Sequence, residues 1–136
     1  LGQINKKSQH DEWIKPRFTF DQHLDYKFIL CLEGIDVASN LKWVMSSNSL
    51  AVMPKPKFET WFMEGLLIPD HHYVLIKDDY SDLETKLEYY INNPDKADAI
   101  LKNSNDYLIQ FQNKQFEDLI SLMVLSKYFE KTNQHS

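Results

Sequence analysis

Two short, unbroken apolar runs, Tyr26 to Leu32 and Ser49 to Met53, are separated by a stretch whose apolar residues recur at helical spacing. Few folds accept that order. The first run stops at Glu33-Gly34 and the second at Pro54-Lys55-Pro56, and prolines continue neither a ladder nor a helix. A short continuous apolar run suits a strand buried on both faces of a parallel sheet. Between the runs, Val37, Leu41, Val44 and Met45 predict a helix of about three turns, with Asp36 placed to cap its free N–H groups. Strand, helix and strand within about thirty residues match the size of a right-handed βαβ unit. The class expected is α/β, with a parallel sheet and flanking helices.

The alternation continues. Phe58 to Leu67 is expected to form a short helix ending near Gly65, and His72 to Ile76 a third strand. Ser81-Asp82-Leu83-Glu84 has the form of a capping box, with Leu83, Leu87, Tyr90 and Ile91 as the buried stripe behind it. Asn93-Pro94 restarts the chain as cap and first helical turn, leading through Ile100, Leu101, Tyr107, Leu108 and Phe111. A last helix is expected from about Gln115 to Phe129 through Phe116, Leu119, Ile120, Met123 and Val124. Residues 1–20 are polar, without sustained periodicity, and read as an entry segment with no core of its own. Residues 21–136 then form a single domain with C-terminal helices.

A chain of 136 residues, 43% hydrophobic and 26% charged, supports one core. Its formal net charge of −5 argues against a surface built to hold nucleic acid or anionic lipid, because such binding rests on dense Lys and Arg. The single cysteine, Cys31, lies inside the first apolar run, so neither a disulfide framework nor a multi-Cys metal site can form. A buried, reduced thiol in a cytoplasmic protein is the expectation. No apolar stretch reaches the ~18 residues of a membrane span, and no hydrophobic signal core follows Leu1-Gly2-Gln3-Ile4-Asn5-Lys6-Lys7. The opening on Leu1 rather than Met points to a piece of a longer protein.

In an open parallel α/β sheet, ligands bind beyond the carboxyl ends of the strands, near helix N-termini that favour phosphate. The first such crossing runs Glu33-Gly34-Ile35-Asp36-Val37-Ala38-Ser39-Asn40-Leu41-Lys42. Gly34 permits a close backbone approach, Ser39 and Asn40 can donate hydrogen bonds, and Lys42 supplies a cation. A solvated strand-to-helix turn uses the same residue types, so both roles stand. Glu59 and Glu64 flank Trp61, which suits carboxylates meeting sugar hydroxyls beside an aromatic platform; equally, Trp61 is a core anchor with two solvated glutamates. Lys55 and Lys57 can meet anionic headgroups or acceptor phosphates, or serve as plain surface. His71 and His72 are adjacent, point to opposite faces of a strand, and cannot chelate one ion together. No metal is assigned, and Asp78-Asp79 reads as a loop.

Together these segments resemble a known family. Tyr26-Lys27-Phe28, Leu32-Glu33-Gly34, Asp36-Val37-Ala38-Ser39 and Leu41-Lys42-Trp43 resemble the strand-turn-helix block of glycosyltransferase family ninety. Ser46-Ser47-Asn48-Ser49, Met53-Pro54-Lys55-Pro56, Glu59-Thr60-Trp61-Phe62, Leu67-Ile68-Pro69, His72-Tyr73-Val74 and Asp78-Asp79-Tyr80-Ser81-Asp82-Leu83 look like its later motifs, in order and at similar spacing. The likeness covers about residues 21–110. An ordered series is far more specific than any one motif. The family includes lipopolysaccharide and capsule enzymes of bacteria and eukaryotic protein O-glucosyltransferases.

The resemblance implies the Rossmann-like C-terminal lobe of a GT-B glycosyltransferase. That lobe would hold a nucleotide-sugar donor, UDP-linked, for inverting transfer without a metal or other cofactor. The donor-binding residues it implies are Gly34, Asp36, Ala38, Ser39, Asn40, Lys42, Glu59, Trp61 and Glu64. The catalytic base would lie in an N-terminal lobe that 136 residues cannot also hold. The acceptor would be lipopolysaccharide or another glycan, met at the cytoplasmic face of the bacterial inner membrane by peripheral association. Eukaryotic relatives carry an arginine near Asn40; here Lys42, or a residue upstream, must supply that charge. A second reading is a non-catalytic remnant or interaction module that keeps the fold without donor binding. A response-regulator-like domain fits poorly, since Glu33 and Asp36 do not make its acidic cluster.

Overall fold

The computed structural model describes residues 16 and 18–134. Three parallel strands form one sheet in the order β1-β2-β3: β1 Phe28–Leu30, β2 Leu50–Met53 and β3 Val74–Leu75. In register, Phe28 lies opposite Leu50, and Val52 lies between Leu30 and Val74. The central strand is buried at all four positions, as a continuous apolar run requires when both faces are covered. Burial of Leu50, Val52 and Met53 contributes about 1.5–3 kcal/mol each.

Alternation along the strands builds two cores. Ile29, Cys31, Ala51, Met53 and Tyr73 face one way, against Ala38, Leu41, Val44, Met45, Phe62 and Leu67. Leu50, Val52, Val74 and Ile76 face the other, against Tyr90, Ala97 and Ile100. The helices are α1 Phe20–Leu24, α2 Leu41–Met45, α3 Leu83–Asn92, α4 Pro94–Ile109 and α5 Lys114–Lys131. Helix α4 serves both cores: Ala97, Ile100 and Leu101 belong to the second, and Tyr107 and Leu108, with Phe111 just beyond the helix, pack on the first. At the entry to the described region, Thr19 and Gln22 form a capping box for α1, whose Phe20 and His23 meet Trp43 edge-on.

Several expectations need correction. Helix α2 is five residues long rather than three turns. The Ser46 and Ser47 hydroxyls donate to Trp43 O and Val44 O at 2.8 and 2.7 Å, taking last-turn carbonyls that a longer helix would need. Asp36 caps no helix; its carboxylate accepts from the Val37 N–H, next to it in the chain. The segment after Pro56 holds only a 3-10 turn, Glu64–Leu66. His71 and His72 lie in the turn before β3 instead of on a strand. The box at Ser81 does not form: Asp82 is the N-cap of α3, without a side-chain cap bond, because its carboxylate accepts from Lys77 N–H at 2.8 Å. Asn93 precedes α4 as expected, yet its side chain donates backward to Tyr89 O. On α3, Ile91 is 58% exposed and outside the buried stripe. Every apolar residue expected to form a stripe on α5 is exposed.

Candidate functional site

The carboxyl ends of the three strands open into one pocket. It is lined by Cys31, Leu32 and Glu33 after β1, Ala38 and Leu41 at the crossing to α2, Met53 at the end of β2, and Pro54 to Lys57 after it. Glu64, Asp78 and Tyr80 complete it. This is where an open parallel sheet places its ligand.

Glu64 is the chemical anchor of the wall. Its side chain is 1% exposed, and both of its oxygens accept hydrogen bonds. Thr60 N–H donates to Oε2 at 2.7 Å, Thr60 Oγ1 donates to Oε1 at 2.9 Å, and Lys42 Nζ donates to Oε1 at 3.2 Å. Burial alone would push its carboxyl upward; the donated bonds from Thr60, its own backbone N–H and Lys42 outweigh that and hold it below its ordinary value of 4.5. A buried carboxylate kept ionised by this many donors is fixed in place.

Met63, just before the 3-10 turn, adopts φ 54. The Tyr107 hydroxyl holds this strained bend by donating to Phe62 O and Met63 O at 2.8 and 3.0 Å. The Tyr107 phenol is raised, first by burial and then by Glu64 and Glu59.

Lys42 is committed to the protein. Besides the bond to Glu64, its amine sits 5.4 Å from the Trp61 ring centroid and 5.2 Å from that of Phe62, a cation between two aromatic faces. Trp61 is 65% exposed, with edge contacts to Phe62 and Phe111. Ala38 and Glu64 line the pocket; Lys42 reaches Glu64, and neither Lys42 nor Trp61 is part of the lining. Gly34, Asp36 and Ser39 are exposed in the turn before α2, and the Asn40 side chain donates to Leu30 O at 2.9 Å. Glu59 lies against Gly65, where a Cβ would come within 3.1 Å of its Oε1. Gly34 has no positive φ, and a Cβ there would meet nothing within 4 Å. The protein itself therefore makes no demand for glycine at that position.

Most of the lining lay outside the donor site read from the sequence, and four of these residues bear on its electrostatics and shape: Glu33, Lys57, Asp78 and Tyr80. Glu33 accepts from the backbone N–H groups of Lys57 at 3.1 Å and Phe58 at 3.2 Å. Lys57 Nζ pairs with Asp78 Oδ2 at 3.0 Å. Tyr80 adopts φ 59. All four come just after a strand end, which is the positional signal that could have found them. Cys31, at the pocket floor, is pushed up to about 12 by burial, against a smaller opposing bond from Val52, so it remains a thiol at neutral pH. Among the described residues, no group of three His, Cys, Asp or Glu could hold a metal ion, and no helix is long and apolar enough to cross a membrane.

A parallel α/β domain with a pocket at its strand ends, walled by a fixed carboxylate, belongs to the open-sheet α/β class. Sequence comparison narrows this: the profile of glycosyl transferase family 90 matches residues 3–131, and the chain belongs to that family. It is 42% identical over 129 residues to the O-glucosyltransferase LpsA of Dichelobacter nodosus, across 95% of this chain and 41% of that protein. It therefore spans about two fifths of that relative's length. It is also 30% identical over 103 residues to an uncharacterized protein, 027R, of Frog virus 3, across 72% of this chain and 10% of the viral protein. Over 125 residues it is 27% identical to protein 179R of Invertebrate iridescent virus 6, across 85% of this chain and 10% of the viral protein.

Proposed function

We propose that this chain is the donor-binding, Rossmann-like lobe of a GT-B glycosyltransferase, and that its pocket takes a UDP-linked sugar. The observation that carries this is the pocket at the strand carboxyl ends, with Glu64 locked into its wall. A carboxylate whose geometry is fixed by Thr60 and Lys42 retains acceptor capacity for hydroxyls of a ribose or sugar. Membership of the family and the likeness to an O-glucosyltransferase support glycosyl transfer as the reaction of the whole protein. The acceptor we propose is a lipopolysaccharide or capsular glycan, with the enzyme at the cytoplasmic face of the inner membrane. No metal or cofactor is part of the proposal. The catalytic base belongs to the remainder of the enzyme.

Calorimetric titration of the chain with UDP, using GDP as control, tests the reading. Selective UDP binding is expected. A folded chain that binds neither nucleotide overturns it in favour of an interaction module that keeps only the fold.

A further inference from the structure

Lys42, the cation that the sequence offers for the diphosphate, is occupied by Glu64 and two aromatic rings. Another cation must then meet a phosphate in this pocket. Lys55 and Lys57 line it, and so do three carboxylates, Glu33, Glu64 and Asp78. An incoming diphosphate must contend with all three.

Two of them are held by groups that do not move with a ligand. Glu64 is held by Thr60 and Lys42. Glu33 is held by the backbone N–H groups of Lys57 and Phe58. Only the third is held by a single mobile partner: Asp78 and Lys57 are 64% and 63% exposed on their side chains and joined by one ion pair across the loops after β3 and β2. A pair so exposed contributes little net stability and exchanges readily. The main-chain bonds to Glu33 meanwhile fix where the Lys57 side chain starts, so its amine can swing without the loop moving.

Resting on the nucleotide-sugar reading above, we propose that Lys57 is the cation that meets the diphosphate and that Asp78 is its displaceable counter-charge. In the unliganded chain Asp78 keeps the amine at the mouth. On binding, the amine exchanges the Asp78 carboxylate for a phosphate oxygen. A doubly charged anion with good hydrogen-bond geometry outcompetes one exposed carboxylate. Asp78 thereby sets the affinity: it penalises any ligand too weakly charged to displace it.

The test is titration of the 136-residue chain with UDP and with inorganic pyrophosphate, in the native form and as Lys57→Met, Asp78→Asn and Lys102→Met. The last is an exposed lysine on α4 and controls for net charge. Lys57→Met leaves the main-chain bonds to Glu33 intact, and circular dichroism confirms the fold. Lys57→Met is expected to weaken both ligands about ten-fold or more, the loss of one charge-assisted hydrogen bond. Asp78→Asn is expected to tighten both about two- to five-fold, and Lys102→Met to change neither. UDP affinity unmoved by Lys57→Met, or weakened by Asp78→Asn, overturns the proposal while the nucleotide reading stands. Binding of phosphatidylglycerol vesicles that Lys57→Met abolishes, with UDP affinity unchanged, assigns the lysine to a lipid headgroup and overturns it also. A native chain that binds neither UDP nor pyrophosphate fails the underlying reading, and the proposal with it.

Discussion

Lys42 and Glu64, twenty-two positions apart in the chain, meet at 3.2 Å between α2 and the 3-10 turn. The contact fastens the segment after β2 onto the helix that follows β1. It also decides what Lys42 is free to do.

Replacing Glu64 with Leu leaves Lys42, the Thr60 N–H and the Thr60 hydroxyl without their acceptor, and should destabilise the chain by about 2–4 kcal/mol. Lys42→Met should cost less, about 1–2 kcal/mol, because Thr60 still holds the carboxylate. The double variant should be more stable than the sum of the two losses predicts. Denaturant unfolding of the three variants checks this; strict additivity would show that the pair is not coupled.

Acidification should destabilise the protein in two stages. His72 Nδ1 accepts from Ile68 N–H at 2.9 Å, and burial, then the neighbouring His71, holds its pKa below 6.5. Its contribution is fully present above 6.5 and is lost as pH falls through the depressed folded value. Glu64, also depressed, contributes fully above 4.5 and loses its share at lower pH. Thermal melts from neutral to acid pH should show both limbs, His72→Gln removing the first and Glu64→Gln the second. An unchanged profile in either variant excludes that group.

Gly34→Ala should leave stability within about 1 kcal/mol of the native chain, since no atom stands in the way of a Cβ and no positive φ is needed. UDP affinity should fall several-fold if a ligand approaches that backbone. Equal affinity would remove Gly34 from the site.

Cys31 is 1% exposed, and its thiol is pushed up to about 12. It should resist thiol reagents in the native state and react at once after unfolding in denaturant. Fast labelling of the folded chain would mean that the pocket floor opens.

Helix α5 exposes Phe116, Leu119, Leu122, Met123, Leu125 and Phe129 together, far more apolar surface than a monomer usually presents. Light scattering should give a mass above 16.2 kDa that rises with concentration, and Leu122→Glu should reduce it. A monomer at high concentration counts against this.

The elements at the centre of the fold were legible because their signals are local. Leu50 to Met53 is apolar without a break, and only burial on both faces explains that. Pro94 and the apolar spacing through Phe111 announced α4, which ends at Ile109, two residues short of that spacing. Helix ends were harder: Ser46 and Ser47 stop α2 through hydroxyl bonds to carbonyls, whereas periodicity alone continues it. At Ser81 the residue types of a capping box were present, but Lys77 N–H, brought close by the end of β3, claims Asp82.

The site divided along the same line. By itself the sequence determined the order of the three strands and of helices α2 to α5, and the family, because apolar runs and an ordered motif series are properties of the linear chain. Only the tertiary structure decided which charges are free. It set Lys42 against Glu64 and two aromatic rings, gave Glu33 to the backbone of Lys57 and Phe58, and brought Asp78 to Lys57. Those partners are tens of residues apart, and a charge's availability depends on which neighbour the fold brings within hydrogen-bond reach.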